Sequence, residues 1–237
     1  MASTKVKAFV LESKDSKEKD KLATLFTLES GRLFVNFRGV RGPKAKLRAA
    51  KEVFTFGEYI IEETKAGNIV VEAEIIDNFA PIRSDLEKYY EVCSVFDIVR
   101  KVLSTEADPA MFIELVKVMK AICYDGAPKN YALVKFLIDI FDNAGYSLNF
   151  EKCSSCGSTL TGKKFLNLQV GEFVCSNCKL MTSIEVAPPT LSALKILKAT
   201  PFEKLKTIKL GGEGAEKALN LLSENFEWRY GCRFFIA

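Results

Sequence analysis

Two Cys-x-x-Cys pairs, Cys153/Cys156 and Cys175/Cys178, stand eighteen residues apart, and they constrain the fold more than any other feature. Two residues between cysteines let both thiolates reach one ion from a single tight turn. The intervening stretch is long enough for a hairpin that brings the two turns together. The chain has no His, so a metal held here is held by sulfur alone. Four thiolates close a tetrahedral Zn2+ site and leave no coordination position for a substrate, so the expected cofactor is one structural zinc ion. Redox-active dithiols would need a strand-to-helix context that these pairs lack. An iron–sulfur cluster fits this ribbon-like spacing less well. The other three cysteines, Cys93, Cys123 and Cys232, lie in apolar surroundings and read as buried free thiols.

Ahead of the cysteines the hydrophobic pattern changes period once. In residues 1–80 it alternates. Val6, Ala8 and Val10 form one run, followed by Leu25–Leu28, Leu33–Phe37, Val53–Ile61 and Ile69–Ile76, with turn signals at Ser30-Gly31 and Ala66-Gly67-Asn68. Period two with β-branched and aromatic residues marks strands. Five strands in so short a length close best as a small OB-like barrel, which leaves no open edges.

From Pro81 the period becomes helical. Ser84 and Glu87 have capping-box spacing, and Leu86, Tyr89, Tyr90, Cys93, Phe96, Val99 and Leu103 recur every three or four residues. Asp108-Pro109 opens a second helix that stops at Asp125-Gly126, and a third runs from about Asn130 to Gly145. Three amphipathic helices predict a bundle. Two further helices, Leu191–Lys198 and Gly214–Trp228, are expected to pack back on it. The expected fold class is therefore α+β: an N-terminal barrel over 1–80, a helical domain over 81–149 and 186–237, and a zinc-binding element inserted at 150–185.

Charge is divided along the chain more sharply than the net value of +4 suggests. Ser30–Lys51 contains no acidic residue and seven basic ones, Arg32, Arg38, Arg41, Lys44, Lys46, Arg48 and Lys51, whereas 58–91 holds nine acidic against three basic. Gly39, Gly42 and Pro43 keep the basic loop out of helix and strand, so its cations can face solvent or phosphates. Phe34 and Phe37 lie on the strand leading into it and are either core residues or stacking platforms. Two weaker basic sets, Lys195/Lys198/Lys204/Lys206/Lys209 and Lys152/Lys163/Lys164/Lys179, could extend the footprint or could be solvated faces.

Enzyme chemistry finds little purchase. Without His, Ser-His and Cys-His nucleophile pairs are excluded, and no Gly-x-x-x-x-Gly-Lys-Ser/Thr loop is present. Asp139/Asp142 and Glu62/Glu63 look like helix and strand surface. Met1–Ser13 lacks a signal-peptide core and no apolar run reaches membrane-spanning length, which with the cysteine pattern points to a reducing cytosol.

The chain resembles the bacterial DNA repair protein RecO family. Three segments carry the resemblance: Asp20–Thr27 with Glu29-Ser-Gly31, the loop Arg38-Gly-Val-Arg-Gly-Pro-Lys-Ala-Lys-Leu47, and Phe141-Asp-Asn-Ala-Gly-Tyr146 leading to Cys153-x-x-Cys156-Gly157. The Arg before Gly39 stands where the family often has Lys, and Glu213–Ala237 matches only in being helical. The resemblance implies a non-enzymatic recombination mediator in the nucleoid-containing cytoplasm. Such a protein binds single- and double-stranded DNA, anneals complementary strands, and works with RecR and single-stranded-DNA-binding protein to let RecA load. Phosphate contacts are then expected from Arg32, Arg38, Arg41, Lys44, Lys46 and Arg48, and metal ligation from Cys153, Cys156, Cys175 and Cys178. From the residues alone, an RNA-binding protein of ribosome assembly or transcription, built from the same barrel and zinc ribbon, remains the alternative.

Overall fold

The computed structural model describes residues 3–16, 18–40, 42 and 46–236. The chain divides into two compact units: residues 1–80 with 102–112, and residues 81–101 with 113–237.

The first unit is a closed five-stranded barrel. Its strands are β1 (Ser3–Asp15), β2 (Lys21–Thr27), β3 (Gly31–Phe37), β4 (Phe56–Thr64) and β5 (Gly67–Asp77), in the order β1-β2-β3-β5-β4. All pairings are antiparallel except β3 with β5, where Val35 faces Asn68 and Asn36 faces Ile69. Alternate residues point inward, as a pleated strand requires: Val6, Ala8, Val10, Ala23, Leu25, Val35, Phe37, Tyr59, Ile61 and Val70 fill the interior. A bulge in β1 between Val10 and Glu12 lets this one long strand pair with both β2 and β4.

Where sequence alone extends a strand back to Val53, the chain is still turning, and β4 starts at Phe56. Phe54 takes a left-handed backbone (φ 74°) and donates its N–H to the Val10 carbonyl, while Val10 donates to Thr55. Val, Phe and Thr favour strands by side-chain shape, but here the turn is tied to Val10 of β1, and that tertiary contact prevails.

Part of the barrel's outer wall is also buried. Phe9, Phe26 and Phe56 point outward and meet Phe112, with ring centroids 5.5, 5.2 and 5.9 Å away, and Phe79 lies 6.0 Å from Phe9. This explains why 102–112 belongs to the barrel unit. The approach is close enough to demand glycine at position 31, where a Cβ would lie 2.1 Å from the Glu106 carbonyl oxygen.

The second unit is helical. Its elements are α1 (Leu86–Val102), α2 (Pro109–Cys123, whose first turn belongs to the first unit), α3 (Tyr131–Asn143), α4 (Pro188–Ala199) and α5 (Gly214–Tyr230). The expected capping box at Ser84 is displaced by one residue. Asp85 caps α1, accepting from the Glu87 and Lys88 N–H groups, while Ser84 donates to the Pro81 carbonyl. Asp108 caps α2 as expected, through the Met111 N–H. Helix α3 has no cap of its own; a carboxylate oxygen of Glu91 on α1 accepts from Leu133 N–H at its start. Burial drives the Glu91 carboxyl up to about 7, against the lowering effect of the Leu133 and Asn130 N–H groups and of Lys129. Helix α4 packs most extensively on α5, and α3 packs against both, so the late helices complete the core rather than decorate a finished bundle. Between α3 and α4 lies a small antiparallel sheet of β6 (Lys164–Asn167), β7 (Glu172–Val174) and β8 (Ser183–Val186), with β6 in the middle.

Candidate metal centre and nucleic-acid interface

The four cysteines converge. The β6–β7 hairpin folds the second pair back onto the first, and the four sulfurs lie within 4.8 Å of one another. The Cys156 and Cys175 sulfurs are 4.0 Å apart, far beyond a disulfide and close to the edge of about 3.8 Å that a tetrahedron of Zn–S bonds requires. Each pair sits on a tight turn, and backbone N–H groups are aimed at the sulfurs of the first. Gly157 N–H closes the first turn on the Cys153 carbonyl, with the left-handed φ of 72° that glycine tolerates; Cys178 N–H closes the second on the Cys175 carbonyl. Cys175 N–H donates to the Cys153 sulfur at 3.4 Å.

Burial works against ionisation of Cys153, but the N–H groups of Cys156, Cys175 and Ser155 outweigh it and pull the thiol down to about 6. Cys178 is pushed up to about 12: Ser155 favours its thiolate, yet the neighbouring Cys156 and Cys175 leave it holding a proton. Four sulfurs at metal-bridging separation that compete for protons form a donor set fitted to one soft, divalent, tetrahedral cation.

The basic segment after β3 is anchored by its apolar residues. Val40 and Ala50 are buried in the barrel core, Leu47 packs against it, and the Tyr59 hydroxyl donates to the Ala50 carbonyl at 2.9 Å. Burial alone drives the Tyr59 phenol far above its ordinary value, so it stays a neutral donor. Asp20 fixes the start of the turn by accepting the Gly39 N–H. With the apolar side turned inward, Arg38, Lys46 and Arg48 are exposed, and none of the three pairs with a carboxylate among the described residues. Arg41 and Lys44 lie outside the described residues. Two other cations of the run are occupied: Arg32 is half-buried and donates to the Leu103 carbonyl at 2.6 Å, and Lys51 is buried against Glu52. Carboxylates gather on β4 and β5 instead, where Glu58 faces Glu74 across the ladder, Lys5 bridges to Glu58, and Glu62, Glu63 and Glu72 lie nearby along the strands.

Phe37 is fully buried, whereas Phe34 is 63% exposed. Two residues three apart on one strand point to opposite faces, which separates the two. Asp139 and Asp142 are engaged in ion pairs with Lys135 and Lys198; burial raises Asp139 to about 6, which Lys135 opposes and Glu114 reinforces. Among the described residues no helix is long and apolar enough to cross a membrane.

Residues 1–79 match the family described as recombination protein O N terminal, and residues 83–234 match recombination protein O C terminal. The chain belongs to the RecO family. It is similar to proteins named DNA repair protein RecO across most of their length. The one from Clostridium novyi is 28% identical over 219 residues, covering 92% of this chain and 86% of that protein. That from Halalkalibacterium halodurans is 26% identical, covering 88% and 83%, and that from a Thermoanaerobacter species is 26% identical, covering 100% and 98%. In this RecO-family chain the boundary between the two matched families falls where strand gives way to helix, and the cysteine cluster lies within the C-terminal match.

Proposed function

We propose that this chain is a non-enzymatic recombination mediator: it binds single- and double-stranded DNA through the turn after β3, brings complementary strands together, and works with RecR and single-stranded-DNA-binding protein so that RecA can load. The observation that carries the reading is the outward set Arg38, Lys46 and Arg48 on a turn whose apolar side seals the barrel, in a RecO-family chain. Arg41 and Lys44, from the same run, are included as phosphate contacts; Arg32, tied to Leu103, contributes mainly by holding β3 in place.

Annealing requires that the repulsion between two phosphate backbones be screened while base edges stay free. Side-chain cations on a turn do the first without base readout, and their affinity comes from counterion release. Cys153, Cys156, Cys175 and Cys178 would hold one zinc ion, which when bound supplies a rigid cross-link and no open coordination site. The protein's own contribution there is a pair of tight turns, with backbone N–H groups that favour thiolate at Cys153 and Cys156.

Annealing of complementary oligonucleotides without ATP tests the reading. The wild-type chain is expected to accelerate duplex formation. Replacing Arg38, Lys46 and Arg48 together with Ala should weaken binding to single strands and duplexes of any sequence, and lower the salt slope by about 0.7–0.9 per lost contact. An unchanged isotherm from the folded triple variant would overturn it, and preference for RNA in an equal-length competition would favour the RNA-binding alternative.

A further inference from the structure

We propose that Phe34 is a stacking platform for one unpaired base, and that it gives the barrel surface a preference for single strands over duplex. The inference rests on the DNA-binding reading above and adds to it the feature of the ligand that is recognised.

Four observations lead to it. The strand places Phe34 outward, because Val35 and Phe37 on either side of the alternation are buried in the barrel. Among the described aromatic residues of the five strands, Phe34 alone is fully in the open; Phe9, Phe26 and Phe56, which also point out, are covered by Phe112. The platform is held on a rigid ladder: Phe34 pairs with Thr24 across β2, and its carbonyl accepts from the Asn68 side chain at 3.3 Å. Leu22, 49% exposed and diagonal to Phe34 on the neighbouring strand, makes a second apolar shoulder.

The surroundings select the occupant. β3 runs directly into Arg38 and the basic turn, and no acidic residue occurs between Ser30 and Lys51. An exposed aromatic ring on a strand that leads into exposed cations suits a nucleic-acid strand whose phosphates meet the cations while a base meets the ring. A duplex has phosphates but no free base face, so it gains only the first of these contacts. A single platform engages one base and leaves its neighbours free to pair, which is compatible with annealing.

The test compares wild type with Phe34→Ala, Phe34→Tyr and Phe34→Leu on three probes: a thymidine oligonucleotide of about 20 residues, an abasic strand of equal charge, and a duplex of equal length. Phe34→Ala is expected to bind the thymidine strand about 5- to 100-fold more weakly, with abasic and duplex binding and the salt slope unchanged. Phe34→Tyr should restore binding and Phe34→Leu should not. Full rescue by Leu would reveal an unspecific apolar contact. Equal losses on all three probes, or no loss, would equally overturn the platform. Should the wild-type chain fail to bind the thymidine strand at low salt, the DNA-binding reading itself falls; should it bind while Phe34→Ala binds equally well, only the platform does.

Discussion

The barrel and the cysteine-bearing sheet solve the same problem by different means. Both are made of strands that could not persist alone. The barrel's strands enclose a continuous apolar interior, with Phe37 and Tyr59 fully buried and Val40 and Ala50 part of the same core. The sheet of β6, β7 and β8 has strands of only three or four residues and buries Phe165, Leu166, Phe173 and Val174. Closure by side-chain volume suffices for the first; the second places four sulfurs where an ion would supply what the small core lacks. The difference sets what each region should be sensitive to: a cavity in the first and, on the zinc proposal, chelation in the second.

The largest effect is expected from removing the thiolates. Cys175→Ser with Cys178→Ser should release bound metal, forgo a binding free energy of about 10 kcal/mol, and abolish amide protection across β6 and β7 while the barrel strands keep theirs. Hydrogen exchange with metal analysis checks this, and persistent protection of β6 would show that its apolar contacts suffice. Next comes Phe37→Ala, expected to cost about 3–5 kcal/mol in the barrel and leave metal content unchanged; a loss below ~1 kcal/mol in denaturant melts would mean that the barrel relies on its outer aromatic layer instead.

The smallest effect is pH-dependent and belongs to the helical unit. Glu91 is raised by burial from 4.5 to about 7. A carboxyl raised in the folded state contributes stability that is fully present below its unfolded value and is lost as pH rises through about 7. Glu91→Gln keeps an acceptor for Leu133 N–H and removes the charge. It should match wild type at pH 4 and exceed it by up to ~3 kcal/mol at pH 8. Parallel wild-type and variant stability curves across that range would refute the buried-charge account.

Much of this organisation was legible in the residues, for physical reasons that also explain the failures. The cysteine spacing encodes a local turn, so the convergence of Cys153, Cys156, Cys175 and Cys178 follows from short-range geometry. The inward positions of the barrel follow from period two. What escaped is decided over long range. Ser84 and Asp85 are both competent caps, and only the direction in which α1 starts chooses between them. Nothing local in 102–112 announces that Phe112 will cover Phe9 and Phe26. Composition likewise marked a basic run but could not separate Arg38, Lys46 and Arg48 from Arg32, which a carbonyl 71 residues away engages, or from buried Lys51.

The facing glutamates Glu58 and Glu74, set against a basic turn on the same small barrel, have a kinetic consequence. A net charge of +4 describes a molecule seen from afar. Within a Debye length of a polyanion, about 8 Å in physiological salt, the uneven charge of this barrel would act before contact, attracting the basic turn and repelling the glutamates. On the proposed DNA-binding reading, encounters would begin pre-aligned with the basic turn leading, so salt should slow capture more than it hastens escape.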